Sequence, residues 1–373
     1  MKFLFFLCLL LFPLFASAAS TAPRLAARAW IVIDQASGQE LAAQNADVQL
    51  APASLTKMMT AYLLFTDLRN KKLALDKTLS VPSNALKTDG ATVFLSAGEE
   101  ISIDTLLQAM LVQSASDATQ TLVEAASGSA GAFVERMNHE AARLGMTRTR
   151  FANVVGLDES GHISTARDLA MLARALQTHF PEYQKYFVQK EFVHKGITFY
   201  NRNRLLWQDG GTTGLKTGRT NRAGYCLAAS ARRGDQQRIA VVLGAASDSQ
   251  RVQGASSLLN FSFENYDSMR LYPARQPVKT VKLYRGARDT VSLGFEQDFY
   301  LLIPKGSAPR LTAQVVTQQP VVAPIRKGQA LGTLRLSLDG KALGGYSLHA
   351  LHDVGVAGVL GRGWDSIKLL FAK

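Results

Sequence analysis

Apolar residues run unbroken from Ala29 to Ile33 and close on Asp34, which predicts a buried strand over Ala29–Asp34, with Ser37-Gly38 as the turn after it. Over 54–67 the spacing changes to threes and fours. Leu55, Met58, Met59, Tyr62 and Leu63 fall on that period and predict a helix. Ile103, Leu106, Leu107, Met110 and Leu111 predict a second over 103–111. Two more follow at 118–126 and 132–144, the latter stopped by Gly145. Ser164 or Thr165 caps another, since Asp168 stands three residues after Thr165 where apolar periodicity resumes. Beyond Gly214 the text turns to strands, 225–231 and 238–244, joined through Arg233-Gly234-Asp235. A closing helix is expected over 258–266, with Pro273 and Pro277 after it. From 278 to 352, short apolar runs between Gly, Pro and Asp turns predict a small all-β module.

Both ends of the chain carry their own signals. Met1-Lys2, an apolar run over 3–15 and the small residues Ala16-Ser17-Ala18 have the three parts of an export leader cleaved after Ala18. The run is short for a bilayer span, which takes about 20 residues. At the other end Leu360, Trp364, Ile367, Leu370 and Phe371 share one helical face, while Asp365, Ser366, Lys368 and Lys373 lie elsewhere. That stripe suits an amphipathic helix in a membrane interface, or a terminal helix packed on its own β-module.

The composition of the 373 residues is that of a soluble globular protein, 47% hydrophobic and 19% charged, with room for two domains. Disordered chains, collagen-like rods and disulfide miniproteins are excluded. The 42 basic against 29 acidic residues leave +13 and ask for an anionic partner. Export narrows that partner to anionic cell-wall polymer or lipid rather than nucleic acid. Cys8 would leave with the leader, so Cys226 stands alone and no intramolecular disulfide can form.

Ser54-Leu55-Thr56-Lys57 puts a hydroxyl and an amine on one face at a helix start, close enough for the amine to take the hydroxyl proton. The partial positive charge of the helix N-terminus suits a developing oxyanion there. Alone the motif is weak, because a chain this long holds about one by chance. Gln113-Ser114-Ala115-Ser116-Asp117-Ala118 can present hydroxyls on an interhelical turn. Leu215-Lys216-Thr217-Gly218 precedes an apolar strand, and Gly218 would let a substrate approach the backbone closely.

In this order the three elements resemble the motif set of the penicillin-interacting serine enzymes, Ser-x-x-Lys, Ser-x-Asn and Lys-Thr-Gly. Pro52-Ala53-Ser54-Leu55-Thr56-Lys57-Met58, Gly156-Leu157-Asp158, Ser164-Thr165-Ala166-Arg167-Asp168, Asn201-Arg202-Asn203-Arg204-Leu205-Leu206-Trp207 and Ala223-Gly224-Tyr225 extend the likeness. With them the chain resembles low-molecular-mass penicillin-binding proteins, the serine-type D-alanyl-D-alanine carboxypeptidases, over nearly its whole length. The resemblance implies an α+β fold. A transpeptidase domain like that of penicillin-binding proteins and serine β-lactamases, an antiparallel sheet flanked by helices, would span 19–275. A β-rich domain at 276–355 and the amphipathic tail at 356–373 would follow the leader at 1–18 and that domain.

The resemblance also implies roles. Ser54 would attack the penultimate D-Ala carbonyl of a peptidoglycan stem peptide, with neutral Lys57 as base. Burial and the cation of Lys216 would both push the Lys57 amine down. Ser114 would pass the proton to the leaving nitrogen. Lys216 and Thr217 would hold the terminal carboxylate, with Ser116 and Gly218 also at the substrate. The N–H groups of Ser54 and Arg219 would form the oxyanion hole. No metal or organic cofactor is called for. β-Lactams would be covalent inhibitors, and the tail would meet the anionic inner-membrane surface from the periplasmic side. One position departs from the motif: Ser116 stands where Asn is expected, offering one hydroxyl where Asn offers an acceptor and two donors. Slower turnover or altered β-lactam handling follows. The alternatives are a binding-only or weakly active cell-wall protein, a DD-endopeptidase and, least well matched, a β-lactamase.

Overall fold

The computed structural model describes residues 21–317 and 319–358. The leader at 1–18 and the amphipathic stripe beyond 358 lie outside those residues.

The chain enters through β1 (Ala29–Asp34) and β2 (Glu40–Gln44), makes one 3-10 turn at Ala53–Thr56 and continues as α1 (Lys57–Arg69). A small ladder of β3 (Thr78–Ser80) and β4 (Glu100–Ser102) precedes α2 (Ile103–Gln108), α3 (Ser116–Ser127), α4 (Ala130–Arg143) and α5 (Ala166–His179). Then come α6 (Lys185–Val188), the pair β5 (Glu191–His194) and β6 (Ile197–Tyr200), and α7 (Leu205–Gln208). The long strands β7 (Thr212–Thr220), β8 (Gly224–Arg233) and β9 (Gln236–Ala245) and the helix α8 (Asp248–Asn265) complete the first body. Its sheet runs β2-β1-β9-β8-β7, antiparallel throughout.

β1 is apolar at successive positions because both of its faces are covered. Ile31 and Ile33 join the core built with α1 and α5, whereas Trp30 and Val32 pack with Val252, Leu258 and Leu259 of α8. β9 divides the same way, Ile239, Val241 and Leu243 to one side and Ala240 and Val242 to the other. α1 is buried nearly all round, Lys57 included, so an amine sits inside the apolar core. Thr165 is the cap of α5, its Oγ1 accepting from the Asp168 N–H at 3.0 Å.

Two expectations are corrected. The helix over 103–111 is α-helical only to Gln108; it then widens into a π-turn, Ala109–Gln113, that delivers Ser114 in the left-handed region at φ 67°. The closing helix begins at Asp248 rather than 258, where the Ser247 hydroxyl accepts from the Gln250 N–H at 3.2 Å. Its first half shows only a thin stripe, Val252 and Ala255, broken by Gly254 against Leu25. Tyr266, expected at its end, instead opens a strand.

That strand, β10 (Tyr266–Tyr272), begins the second body. β11 (Pro277–Tyr284), β12 (Thr290–Gly294), β13 (Phe299–Pro304), β14 (Leu311–Thr317), β15 (Val321–Val322), β16 (Ala330–Leu338) and β17 (Lys341–Ala350) follow. β10 pairs with β13, and the main sheet runs β14-β16-β17-β12-β11-β15. The module has its own core around Val291, Leu293, Leu334, Leu336 and Leu348. Polar bonds tie it to the first body. Asp34, at the end of β1, pairs with Arg238 of β9 at 2.5 Å, both side chains buried, and also accepts from the Ser268 hydroxyl at 3.0 Å. Arg238 donates to the Tyr266 carbonyl at 3.2 Å, and Gln39 accepts from the Leu302 N–H at 3.1 Å.

Candidate active site

Ser54 lies in the 3-10 turn ahead of α1, half-buried, after Ala53 at φ 50°. Two glycines make room for this turn. A Cβ on Gly156, whose φ is 90°, would fall 2.0 Å from the Ala53 carbonyl oxygen. A Cβ on Gly218 would fall 2.9 Å from both Ala53 Cβ and the Ser54 nitrogen. The missing side chain of Gly218 therefore seats β7 against the Ser54 turn, a neighbour the sequence argument does not invoke, while Gly218 also lines the cleft.

Lys57 projects from the first turn of α1 and its Nζ donates to the Val155 carbonyl at 2.8 Å. Burial first, then the cation of Arg202, pushes its amine down to about 7, against the opposing pull of Asp117. Arg202 is thus a further cation beside Lys57 that the sequence argument does not invoke, while the repulsion expected between Lys57 and Lys216 is expressed at Lys216. Lys216 of β7 is equally buried and donates to the Thr217 carbonyl at 3.0 Å. Burial and the cations of Lys57, Arg202 and Arg251 push its amine well below the usual range, so an anion arriving beside it would be met as a missing partner.

Ser114 ends the π-turn with its hydroxyl buried and without a hydrogen-bond partner among the described residues. An unpaired buried hydroxyl is costly and is expected where a ligand completes it. Ser116 begins α3; its N–H donates to the Ala91 carbonyl at 2.6 Å, and its Oγ lies 2.8 Å from where a Cβ on Gly90 would stand. Asp117 accepts from the N–H groups of Val93 at 3.1 Å and Leu95 at 3.3 Å, fixing the same loop.

The remaining wall is held from α8 and the 153–158 loop. Arg251 is buried, pairs with Asp248 at 2.5 Å and donates to the carbonyls of Gly218 at 3.0 Å and Cys226 at 3.2 Å. The Asn153 side-chain Oδ1 accepts from the Gly156 N–H at 2.7 Å, and the Thr220 hydroxyl donates to Asp158 at 2.6 Å, clamping the loop to the end of β7. Arg219 is exposed, its guanidinium 5.2 Å from the Tyr225 ring centre.

A single cleft of about 230 Å³ gathers Ser54, Lys57, Ser114, Ser116, Thr217, Gly218 and Arg219 on its walls, with Lys216 buried beside Thr217. Three stretches distant in sequence thus meet at one hydroxyl. Arg202, Arg251, Gly90 and Tyr225 line it as well and had no assigned role in the sequence. Arg202 stood inside the Asn201–Trp207 run, but Arg251 had no signal, falling in the unrecognised half of α8. A poised amine, an unpaired hydroxyl and excess positive charge equip the cleft for acyl transfer on an anionic substrate.

Residues 16–247 match the family model of D-alanyl-D-alanine carboxypeptidases. The chain belongs to that family. Residues 266–356 match the C-terminal domain of penicillin-binding protein 5, so the carboxypeptidase domain and its β-module are both represented. The D-alanyl-D-alanine carboxypeptidase DacC of Escherichia coli K12 is 37% identical over 358 residues, covering 94% of this chain and 90% of that one. Penicillin-binding protein 5 of Haemophilus influenzae superposes with a TM-score of 0.87 at 33% identity, covering 90% of this chain and 99% of that one. The ampicillin-bound form of penicillin-binding protein D2 from Listeria monocytogenes matches 65% of this chain and 100% of its own, at 33% identity and a TM-score of 0.60. These findings support the carboxypeptidase reading and the penicillin-binding fold over the binding-only and endopeptidase alternatives.

Proposed function

We propose that the chain removes the terminal D-alanine from peptidoglycan pentapeptide stems through an acyl-enzyme on Ser54, and that β-lactams acylate the same hydroxyl. The carrying observation is a buried amine near neutrality at Lys57 in one cleft with a half-buried serine. Neutral Lys57 takes the Ser54 proton as Oγ attacks the penultimate D-Ala carbonyl. The N–H groups of Ser54 and Arg219 stabilise the oxyanion, and Ser114 passes the proton to the departing nitrogen. Lys216 and Thr217 hold the substrate carboxylate in a field that Arg202 and Arg251 strengthen. Water then releases the shortened peptide, by the same groups in reverse. The test is the intact mass of the protein after penicillin treatment, alongside Ser54→Ala.

The Lys57 amine sets the pH dependence. Protonation removes the base, so kcat/KM for an acyl-D-Ala-D-Ala peptide falls about tenfold per pH unit below a midpoint near 7. A rate profile flat down to about pH 5 contradicts Lys57 as base.

Ser116 sets the deacylation rate. Its hydroxyl faces Gly90, and Asn at this position would extend further with an added donor pair. Ser116→Asn therefore hydrolyses its penicilloyl adduct measurably faster, followed by mass spectrometry over time; an unchanged half-life removes this role.

The exported, peripheral address belongs to the same proposal, supported by the leader pattern at 1–18 and the apolar stripe of the tail. No described helix is long and apolar enough to cross a membrane. The full mature chain floats with vesicles containing anionic lipid, and a chain ending at 355 stays behind. Equal flotation of the two would remove the tail from the account.

A further inference from the structure

A line of hydrogen bonds runs from a buried imidazole to the peptide that bears the nucleophile. His162 Nδ1 accepts from the Ala152 N–H at 2.9 Å, so that nitrogen carries no proton. The ring proton is then on Nε2, which lies 2.7 Å from Thr56 Oγ1 and donates to it. The Thr56 hydroxyl in turn donates to the Ala53 carbonyl at 2.8 Å. Both side chains are at most 1% exposed, so the chain is shielded from water. Burial holds the ring neutral, down to about 4 against the pull of Glu159 and Asp158, so its donor and acceptor are fixed wherever Lys57 is active.

The receiving carbonyl belongs to the Ala53–Ser54 peptide, whose N–H is one proposed oxyanion donor. A hydrogen bond to the oxygen of a peptide draws electron density from its nitrogen and makes the N–H a stronger donor, and such bonds reinforce one another along a chain. Gly156 packs against the same carbonyl so closely that the Cβ of any other residue would lie 2.0 Å from it. Water therefore has little room to substitute for Thr56.

We infer that His162 and Thr56 are positioning residues that polarise the Ala53–Ser54 peptide and so set the strength of the oxyanion hole. The inference rests on the reading of Ser54 as nucleophile and oxyanion donor. Its effect is confined to states that carry a developing oxyanion or an ester carbonyl in the hole, so it lowers kcat and leaves KM nearly unchanged.

The experiment measures acylation by penicillin, steady-state D-alanine release and the infrared stretch of the acyl-enzyme ester carbonyl. The proteins are the parent, Thr56→Val, Thr56→Ser, His162→Leu and His162→Gln. Thr56→Val and His162→Leu are expected to acylate about tenfold more slowly, a fraction of the loss from deleting an oxyanion donor outright. Their ester carbonyl stretch moves to higher frequency. Thr56→Ser keeps the hydroxyl, and the His162→Gln amide offers both an acceptor and N–H donors, so both return toward the parent. A merely structural role would lower Tm without moving the carbonyl frequency. Parent rates and frequency in either folded apolar variant overturn the inference, as does slower acylation at an unchanged frequency. Should both apolar variants fail to fold, parent-like kinetics and frequency in Thr56→Ala overturn it. Failure of the parent to acylate at all refutes the nucleophile reading itself.

Discussion

Ser54→Ala abolishes the penicilloyl adduct and lowers D-alanine release by about 10⁴-fold or more, the scale on which serine hydrolases lose turnover without their nucleophile. No other hydroxyl takes its place. Ser114 lies in the same cleft but stands in the left-handed region at φ 67°, and in the proposed mechanism it passes a proton to the departing nitrogen rather than attacking. Non-covalent capture of the substrate carboxylate survives, because Lys216, Thr217, Arg202 and Arg251 are untouched. Binding measured by calorimetry therefore persists while turnover disappears. An adduct on the variant would move the nucleophile elsewhere. No adduct on the parent would mean that Ser116 had disabled the site, and the binding-only reading would return.

Gly156→Ala disables the enzyme from outside its chemistry. The new methyl would stand 2.0 Å from the Ala53 oxygen and 2.8 Å from the Ser54 nitrogen, distances at which the backbone must part. At φ 90° the alanine would also be conformationally strained. Together these cost about 2–5 kcal/mol of stability. The loop at 153–157 moves away from the turn, taking the Val155 carbonyl off Lys57, and acylation falls at least about 100-fold from misplacement alone. Thermal unfolding and adduct formation read the two effects separately. A variant that melts and acylates like the parent would show that the loop yields without disturbing Ser54.

Much of this is legible in the sequence. β1 is apolar at successive positions and β9 through its centre, so both faces had to be covered, and Thr165 with Asp168 marks a helix start because a cap is a local device. The three motifs named the cleft because each lies within a few residues of sequence. What stayed hidden is non-local. The N-terminal half of α8 is polar enough to escape a periodicity search, and Arg251 was lost with it. Arg202 could be seen as part of a motif but not as the cation beside Lys57, since only the fold brings the 201–207 stretch to α1. Gly218 read as a gap for substrate, and it lines the cleft, but it also seats the serine turn. The π-turn before Ser114 keeps the same buried apolar residues in line, so apolar spacing does not distinguish it from a continuing α-helix.

The buried contact between Asp34, Arg238 and Ser268 makes the second body a handle rather than a pendant. β1 and β9, which form the centre of the sheet behind Ser54, are the same strands that grip β10. The angle between cleft and handle is thus built into the sheet, and the far end of the module need only be held for the mouth of the cleft to face one direction at one height. Were that end held as the proposed peripheral address requires, the enzyme would work on the layer of polymer within its reach, and a longer handle would change which layer that is without altering a catalytic atom.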